Sequence, residues 1–493
     1  MLRNIFLILL FAITSGCGKN TITPVQDKEH LGSGNKSVSG DSAVVALRNS
    51  PLSFNPLLPQ NETSQLINPL LYASVVKEEP DGSFTGDIAR KWEISTDGKI
   101  ITFYLKNIIW WQDAIELTVA DIKFTCAAIR SGNSNLREAF SRCSLEVVDA
   151  YCFRAVYDEP FAPALCSWTV PILPSHLLLR ENLPDSAFNY QPIGAGPFSF
   201  TSYSQDDTLI LSASQSYFLG RPLLDKLVFK IIPDTGNAIN LLLQGKIDIL
   251  ELEPYQFQKY SGSSEFLNRF TVLKKPCTDY ISIRFSKGTP LTDRNLRNAL
   301  SLAIDRERFE GRPISSPFPP DRFENPAVKP MEFSPEKARK LLESRGSGAG
   351  GNSICLNYPA ELSNQAAIIK DSWEKIGVTV TLKSGITTEI TGETNVFLER
   401  KAYGSDPEFC DLPDGVPEIA RLMAEGRRTL NMDQRKEIYG QVQKILAESQ
   451  IIIFLSAESG FYAADKRFAG LKFVPGRGFN FQECSVPQEL QKY

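Results

Sequence analysis

The sequence predicts a mixed fold of the α/β or α+β class, built from two or three domains. Segments with strand-like composition alternate along the chain with segments of helical apolar spacing, and no repeat period relates them. The chain has 493 residues, which at about 150 residues per domain gives two or three domains. Its 42% hydrophobic and 22% charged residues are typical of a globular protein and exclude disordered, collagen-like and coiled-coil architectures.

The individual elements follow from local residue preferences. Runs rich in β-branched and aromatic residues predict strands at 44–47, 100–106, 145–156, 198–203, 208–212 and 226–232. Apolar residues at helical spacing predict helices at 63–76, 118–130, 235–244, 293–304, 335–343, 364–376 and 433–448. The helix at 118–130 has the clearest start, because Thr118 suits the N-cap and Asp121 stands at its third position. The dipeptide Asp97-Gly98 predicts a turn before the strand at 100–106.

The amino terminus has the features of an export signal. Arg3 precedes nine apolar residues at 5–13, a run too short to span a bilayer, which takes about 20 apolar residues. The small residues before Cys17 resemble a bacterial lipobox, which implies removal of residues 1–16 and acylation of Cys17. The alternative is an ordinary signal peptide cut nearby. We therefore expect an exported protein on the periplasmic or cell-surface side, anchored to a membrane through lipid.

Residues 17–42 predict a flexible linker between this anchor and the folded body. The segment is rich in Gly, Ser, Asn and Lys and offers almost no apolar side chain for burial. As a random coil it would span on the order of 30 Å.

Charge, histidine and cysteine usage argue against nucleic-acid binding and catalysis. The formal net charge is −4 without a clustered basic excess, so a nucleic-acid partner is not expected. Only His30 and His176 are histidines, so a histidine-based metal centre or proton relay is not expected. No catalytic motif, C-x-x-C pair or cofactor motif in a suitable context occurs, which predicts a non-enzyme without cofactor or metal. Eight cysteines remain besides Cys17, and those at 126–166 are open to local disulfides or to buried thiols.

Four ordered blocks of sequence resemble one known family. They comprise 89–93 (ARKWE) with 103–106 (FYLK), 111–113 (WQD) and 117–122 (LTVADI); 193–198 (IGAGPF) with 217–222 (YFLGRP), 231–234 (IIPD) and 245–248 (GKID); 293–307; and 334–342 (SPEKARKLL). Together they resemble the family 5 extracellular solute-binding proteins, the peptide- and nickel-binding components of ABC importers. The resemblance runs from about residue 44 to residue 481. Ala114 and Glu116 stand where this family usually has Gly and Pro.

The resemblance implies an α/β, two-lobed periplasmic-binding-protein fold of the type II-like large class, with an extra subdomain and hinge strands between the lobes. Lobe I is expected at 43–275 plus 456–493, with an inserted subdomain at about 60–190, and lobe II at 276–455. Extended segments at 271–285 and 451–461 would form the hinge. In such a protein the ligand shifts an open–closed equilibrium towards the closed form. A monomer is expected that captures peptides in the cleft and delivers them to an ABC permease in the inner membrane.

The resemblance also implies ligand contacts on both lobes. The expected contacts are Arg48, Asn49 and Ser53 on lobe I, and Tyr280, Arg284, Tyr403 and Asp406 on lobe II. Asp406 would meet an ammonium group, Arg284 a carboxylate, and the tyrosines would stack on the ligand. Tyr403 stands where dipeptide binders carry an extra Asp, and Arg284 has a structural ion pair as its alternative. Rival functions are a metal-chelate or small-solute binder of the same fold, an exported hydrolase, and a signalling or structural lipoprotein.

Overall fold

The computed structural model describes residues 39–132, 136–286, 293–320, 322–344, 353–385, 394–412, 416–474 and 476–492. The predicted signal peptide, Cys17 and most of the predicted linker lie outside these residues. Among the residues described, none of the helices combines the length and the hydropathy that a membrane-spanning segment requires.

The described residues contain strands β1 (Ser42–Leu47), β2 (Val76–Glu78), β3 (Phe84–Gly86), β4 (Ala89–Ile94), β5 (Ile100–Leu105), β6 (Cys143–Asp149), β7 (Cys152–Tyr157), β8 (Phe198–Ser204), β9 (Thr208–Ala213), β10 (Lys226–Ile231), β11 (Ile249–Leu252), β12 (Phe270–Phe285), β13 (Arg312–Pro313), β14 (Ser353–Tyr358), β15 (Thr379–Ser384), β16 (Thr394–Ala402), β17 (Ile452–Asp465), β18 (Phe473–Val474) and β19 (Gly478–Phe479). The helices are α1 (Glu62–Leu71), α2 (Val119–Ser131), α3 (Arg137–Ser141), α4 (Ala164–Ser167), α5 (Ser175–Leu178), α6 (Thr235–Leu243), α7 (Pro254–Tyr260), α8 (Ser264–Arg269), α9 (Arg294–Leu302), α10 (Pro335–Glu343), α11 (Ser363–Glu374), α12 (Pro417–Arg428) and α13 (Met432–Ser449).

One 11-stranded mixed sheet runs through the molecule, with strand order β15-β14-β16-β12-β17-β11-β1-β10-β9-β8 and β13 paired to β17. The long antiparallel strands β12 and β17 form its centre. They pair over 270–275 with 460–465 and again over 279–284 with 452–458, with a break in register between Lys275 and Asp279. On one side of this centre β1 runs parallel to β10 and β11, and on the other β14 runs parallel to β15 and β16.

The buried apolar residues divide at the same register break. Three clusters are built from residues 43–270 and 462–486, and two further clusters from residues 280–457. Each half of the sheet therefore has its own core. The α/β class and the two-lobed architecture predicted from the sequence are confirmed, with β12 and β17 as the strands that pass between the lobes.

A second, four-stranded antiparallel sheet of order β4-β5-β7-β6 packs with α2 around buried aromatic residues. The predicted start of α2 is confirmed, because the Thr118 side chain accepts a hydrogen bond from Ala120 N at 3.2 Å and Asp121 accepts one from Thr118 N at 2.9 Å. Trp111 is buried and the neighbouring Trp110 is 40% exposed. Ala114 has φ = 65°, in the left-handed region that favours glycine.

Two element predictions were wrong. The segment 145–156 is not one strand but the hairpin β6–β7, turning between Asp149 and Cys152. The helix expected at 63–76 ends at Leu71 and is followed by the short strand β2. Cysteines 126, 143, 152 and 166 are buried thiols, not disulfides.

A buried ion cluster, which we call the terminal clasp, joins the two ends of the described body. The guanidinium of Arg467 contacts Asp41 and lies 2.7 Å from Asp248 Oδ2. Lys492 completes it, with Nζ 3.1 Å from Asp248 Oδ1 and its backbone N–H donating to Asp41 Oδ2 at 3.1 Å. All three of Arg467, Asp41 and Asp248 are almost fully buried, so the clasp fixes the first strand against the end of the chain.

Candidate functional site

The strand order brings the loop that follows β1 and the turn that follows β11 to one edge of the large sheet. Because β1 and β11 are parallel, the residues that follow them, Arg48 and Glu253, lie at the same edge of the sheet, where ligands bind in open α/β sheets. Arg48 Nη1 is 2.6 Å from Glu253 Oε1. Asn49 is exposed beside Arg48, and its carbonyl accepts a hydrogen bond from Thr63 Oγ1 at 2.9 Å.

Ser53, the third residue expected in this loop, is buried. Its hydroxyl accepts a hydrogen bond from Asn55 N at 2.9 Å. Ser53 therefore supports the loop from inside, whereas Arg48 and Asn49 are open to solvent.

Charged residues on and around the two central strands form a set that we call the hinge network. It comprises Arg48, Glu62, Glu251, Glu253, Lys275, Asp279, Arg400 and Glu458. Lys275 Nζ contacts Glu62 and lies 3.0 Å from Glu251 Oε1. Arg400 Nη1 lies 2.8 Å from Glu458 Oε2. With Arg48 and Glu253, each base of the network is paired with an acid.

Asp279 is an acid of the hinge network without a partner. It follows the register break in β12 and lies between Ala402 of β16 and Glu458 of β17. Within the described residues its carboxylate makes no hydrogen bond or ion pair. Burial raises the pKa of Asp279, and the Glu62 carboxylate adds to this effect, whereas the positive charges of Lys275 and Arg400 partly offset it. A cation at this position would stabilise the ionised carboxylate.

Tyr280 and Tyr403, two residues of the predicted site, pack against each other. Tyr280 is buried, and its ring centroid lies 5.1 Å from that of Tyr403 and 6.0 Å from that of Phe454. The Tyr403 side chain is half-buried, and its hydroxyl oxygen is buried without a hydrogen-bond partner in the described residues. Burial raises the pKa of both hydroxyl groups, so both remain protonated at neutral pH. Tyr403 therefore has a hydroxyl without a hydrogen-bond partner in the described residues, and its ring packs on that of Tyr280.

Arg284 is engaged in ion pairs. Its Nη2 lies 2.7 Å from Asp411 Oδ2 and its Nε lies 3.3 Å from Glu399 Oε2. The structural ion pair that the sequence left open as an alternative role for Arg284 is thus present. A ligand carboxylate would have to compete with both Asp411 and Glu399.

Asp406 is also engaged, and it is buried. Its Oδ1 accepts hydrogen bonds from Arg435 Nη2 at 2.9 Å and from Glu408 N at 3.1 Å, with the Asp406 side chain 1% exposed. Arg435 is held further by Gly426 O at 2.9 Å and by the Tyr439 hydroxyl at 3.1 Å. The ammonium-binding role of Asp406 stays a prediction, and it would require the carboxylate to leave Arg435.

Other polar features lie away from the hinge network. His176 Nε2 lies 2.7 Å from Asp113 Oδ2 and supports the subdomain. No group of three His, Cys, Asp or Glu side chains among the described residues is placed to hold a metal ion. A surface groove of about 680 Å³ is lined by residues 190–193 and 200–203, none of which belongs to the predicted site.

Of the hinge network, Arg48 was expected from the sequence, but Asp279 and the remaining members were not. Their side chains are far apart in sequence and come together through the pairing of β12 and β17 with each other and with β16 and β11, and through the packing of α1. One signal was available, because Lys275 and Asp279 are charged residues within an extended segment otherwise expected to pair inside a sheet.

Comparison with known proteins identifies the family. Residues 83–405 match the model of the bacterial extracellular solute-binding proteins, family 5 (middle). The oligopeptide-binding protein AppA of Bacillus subtilis (strain 168) is 23% identical over 527 aligned residues, which cover 96% of this chain and 95% of AppA.

Two solved structures share the fold. The AppA structure from Bacillus subtilis in complex with a nonapeptide superposes with a TM-score of 0.79 at 21% identity, covering 92% of this chain and all of that one (100%). The structure of NikZ from Campylobacter jejuni in complex with Ni(L-His) gives a TM-score of 0.76 at 21% identity, covering 90% of this chain and 99% of NikZ. The family and these relatives are substrate-binding proteins, not enzymes. The chain belongs to the family 5 bacterial extracellular solute-binding proteins.

Proposed function

We propose that this protein is the lipid-anchored substrate-binding component of an ABC importer, which captures peptides between its lobes and delivers them to a permease in the inner membrane. The observation that carries the proposal is the hinge network, where the Asp279 carboxylate has no hydrogen-bond or ion-pair partner among the described residues and lies near the Glu62 carboxylate. Glu62 precedes Thr63, whose hydroxyl donates to the carbonyl of Asn49 in the exposed loop after β1. The name and the nonapeptide complex of AppA support a peptide as the ligand.

The lobe boundaries proposed are those expected from the sequence: 43–275 plus 456–493 for lobe I, with the subdomain at about 60–190, and 276–455 for lobe II. The register break after Lys275 and the division of the buried clusters support them. A cleft between these lobes would have the hinge network as its floor.

Within this cleft we assign direct contacts and supporting roles. Arg48 and Asn49 are exposed, so these two would contact the ligand directly. The Tyr403 hydroxyl oxygen is buried, so Tyr403 would contact the ligand only after neighbouring side chains move. Ser53, Tyr280 and Asp406 are buried and would hold the contacting segments in place. Arg284 would bind a ligand carboxylate only by giving up an acid partner.

Asp279 is the acid we propose for a ligand ammonium group. An ammonium removed from water needs an anionic partner, and the carboxylate of Asp279 is unpaired within the part of the chain that the structure describes. A peptide with a free amino terminus would therefore bind through this group, with its backbone held by polar contacts along the cleft.

Calorimetry with one peptide and its N-acetylated analogue tests the assignment, after native mass spectrometry of protein purified without refolding has identified the ligand class. Asp279→Asn should weaken binding of the free-amine peptide by at least about tenfold, since removing a buried charge partner costs about 2–5 kcal/mol. The acetylated analogue should bind the wild type and the variant alike. Arg421→Gln, which removes two ion pairs confined to α12, with Glu418 and Glu425, is the control and should bind like the wild type. Equal loss for both ligands in Asp279→Asn, or no loss for either, would exclude Asp279 from this role.

A chelated metal or another small cationic solute is the second candidate. The similarity to NikZ, which was solved with Ni(L-His), favours it, and an acid-rich cleft floor suits a cationic complex as well as a peptide. In native mass spectrometry this candidate predicts a bound mass with the isotope pattern of a transition metal, and peptide masses would exclude it.

A further inference from the structure

Arg322 connects the two lobes as divided above. It lies between β13 and α10 in lobe II, and its Nη1 contacts Glu78 on β2 of the lobe I subdomain and donates to Ser405 O at 2.9 Å. Its Nη2 lies 3.5 Å from Gly82 O, in the turn that follows β2. The Arg322 and Glu78 side chains are only 17% and 24% exposed, so their attraction is weakly screened by solvent.

Gly82 is shaped to receive the arginine. It has φ = +80°, and a Cβ built at this position would lie 2.7 Å from Arg322 Nε. Any side chain at residue 82 would displace the guanidinium from Glu78.

A second contact joins the C-terminal end of α12 to the same subdomain. The carbonyl of Arg427 accepts a hydrogen bond from Ala162 N at 2.8 Å, which satisfies one of the carbonyl groups that a helix end leaves unpaired. Arg428 Nε lies 2.5 Å from Glu159 Oε2. Leu430 packs so closely on Gly98 that a Cβ there would lie 2.5 Å from Leu430 Cδ1.

The buried pair of Asp406 and Arg435 supports the first contact. Asp406 fixes the backbone next to Ser405, whose carbonyl receives the hydrogen bond from Arg322. Arg435 in turn binds Gly426 O near the end of α12. One buried ion pair therefore positions both contacts, which explains why Asp406 is turned away from solvent.

We propose that these two contacts form a latch that closes the lobes without ligand, with Arg322 as its central residue. Every group in the latch belongs to the chain itself, so part of the ligand-free population is closed. A ligand that binds the closed form then has an apparent dissociation constant equal to the intrinsic constant divided by the closed fraction. The latch residues thus influence ligand affinity without contacting the ligand. Weakening the latch would lower the affinity for every ligand by the same factor.

The test disturbs one contact and measures the other in the ligand-free, full-length protein. Hydrogen exchange of the Ala162 amide, which lies between Pro160 and Pro163, reports opening of the α12 contact. Arg322→Gln and Gly82→Ala should each raise its exchange rate about tenfold or more, because exchange through opening follows the open population. The charge-reversed pair Glu78→Arg with Arg322→Glu should restore slow exchange.

Gly220→Ala is the matched control for Gly82→Ala. Gly220 also has a positive φ, +98°, but has no atom within 4 Å of a built Cβ, so this substitution adds the same backbone strain without displacing a neighbour. It should leave exchange at Ala162 unchanged. Amides of β1 should exchange alike in all variants, which verifies that lobe I is folded. Unchanged exchange at Ala162 in both Arg322→Gln and Gly82→Ala, or no restoration by the reversed pair, would overturn the latch.

Discussion

Replacing Asp406 with alanine should destabilise lobe II rather than remove a single ligand contact. Among the described residues, the substitution leaves the guanidinium of Arg435, which is 3% exposed, with Gly426 O and the Tyr439 hydroxyl as hydrogen-bond partners and with no acid partner. Removing one partner of a buried ion pair costs about 3–5 kcal/mol, because the remaining charge stays out of water. For a lobe of this size we expect the midpoint of thermal unfolding to fall by about 10 °C.

Differential scanning calorimetry and chemical unfolding of Asp406→Ala measure this cost. The double variant Asp406→Ala with Arg435→Met should recover most of it, since neither charge then remains unpaired. Binding should be measured at a temperature where Asp406→Ala is folded. A free-amine peptide and its N-acetylated analogue should then lose affinity by the same factor, because the substitution disturbs the segment around residue 406 and the latch for both ligands.

Two results would refute this reasoning. A free energy of unfolding within about 1 kcal/mol of the wild type would show that the pair of Asp406 and Arg435 has little structural importance. A loss of at least tenfold for the free-amine peptide, with none for the acetylated one, would instead establish Asp406 as the ammonium partner, the role first expected from the sequence.

Three further predictions follow from individual residues. Asp279→Asn should raise the free energy of unfolding at neutral pH. Burial raises the pKa of Asp279 above its ordinary 3.8, so its ionised form destabilises the fold above the raised pKa. This gain in the free energy of unfolding should vanish as the pH falls below 3.8, where the wild-type carboxyl is protonated in both the folded and the unfolded state. Urea titrations that gave the same gain at every pH would contradict a raised pKa of Asp279. Ala114→Gly should stabilise the subdomain by about 0.5–1 kcal/mol, because Ala114 has φ = 65°, where glycine is less strained than alanine. The control Ala127→Gly, within α2, should instead destabilise it by about 1 kcal/mol. Equal effects of the two substitutions in chemical unfolding would contradict the backbone strain at Ala114. Cys17→Ala should abolish fatty-acid incorporation and move the protein from the membrane to the soluble fraction, and radiolabelled fatty acid that still entered the variant would rule out this site.

The hinge strands could be predicted from the sequence because their signal is local and strong. The extended runs at 271–285 and 451–461 became β12, Phe270–Phe285, and β17, Ile452–Asp465. The start of α2 was equally accessible, since Thr118 and Asp121 satisfy each other's backbone N–H groups within a single turn.

Side-chain partners across the fold could not be predicted in the same way. Asp406 looked available to a ligand because Arg435 is 29 residues further along the chain, and only the packing of α13 brings it into contact. Arg322 and Glu78 are separated by 244 positions and are brought together only by the tertiary fold. In such cases the residue type was visible in the sequence, but its role depended on a partner that only tertiary packing supplies.

The terminal clasp makes the protein a suitable scaffold for circular permutation. Lys492 and Asp41 are in direct hydrogen-bond contact, so a short peptide could join the two ends of the body without spanning a distance. New termini could then be opened at Leu219-Gly220, where Leu219 is 52% exposed and Gly220 has open space around it. A fluorescent reporter inserted there would leave both lobes connected through β12 and β17 and could convert lobe closure into an optical signal.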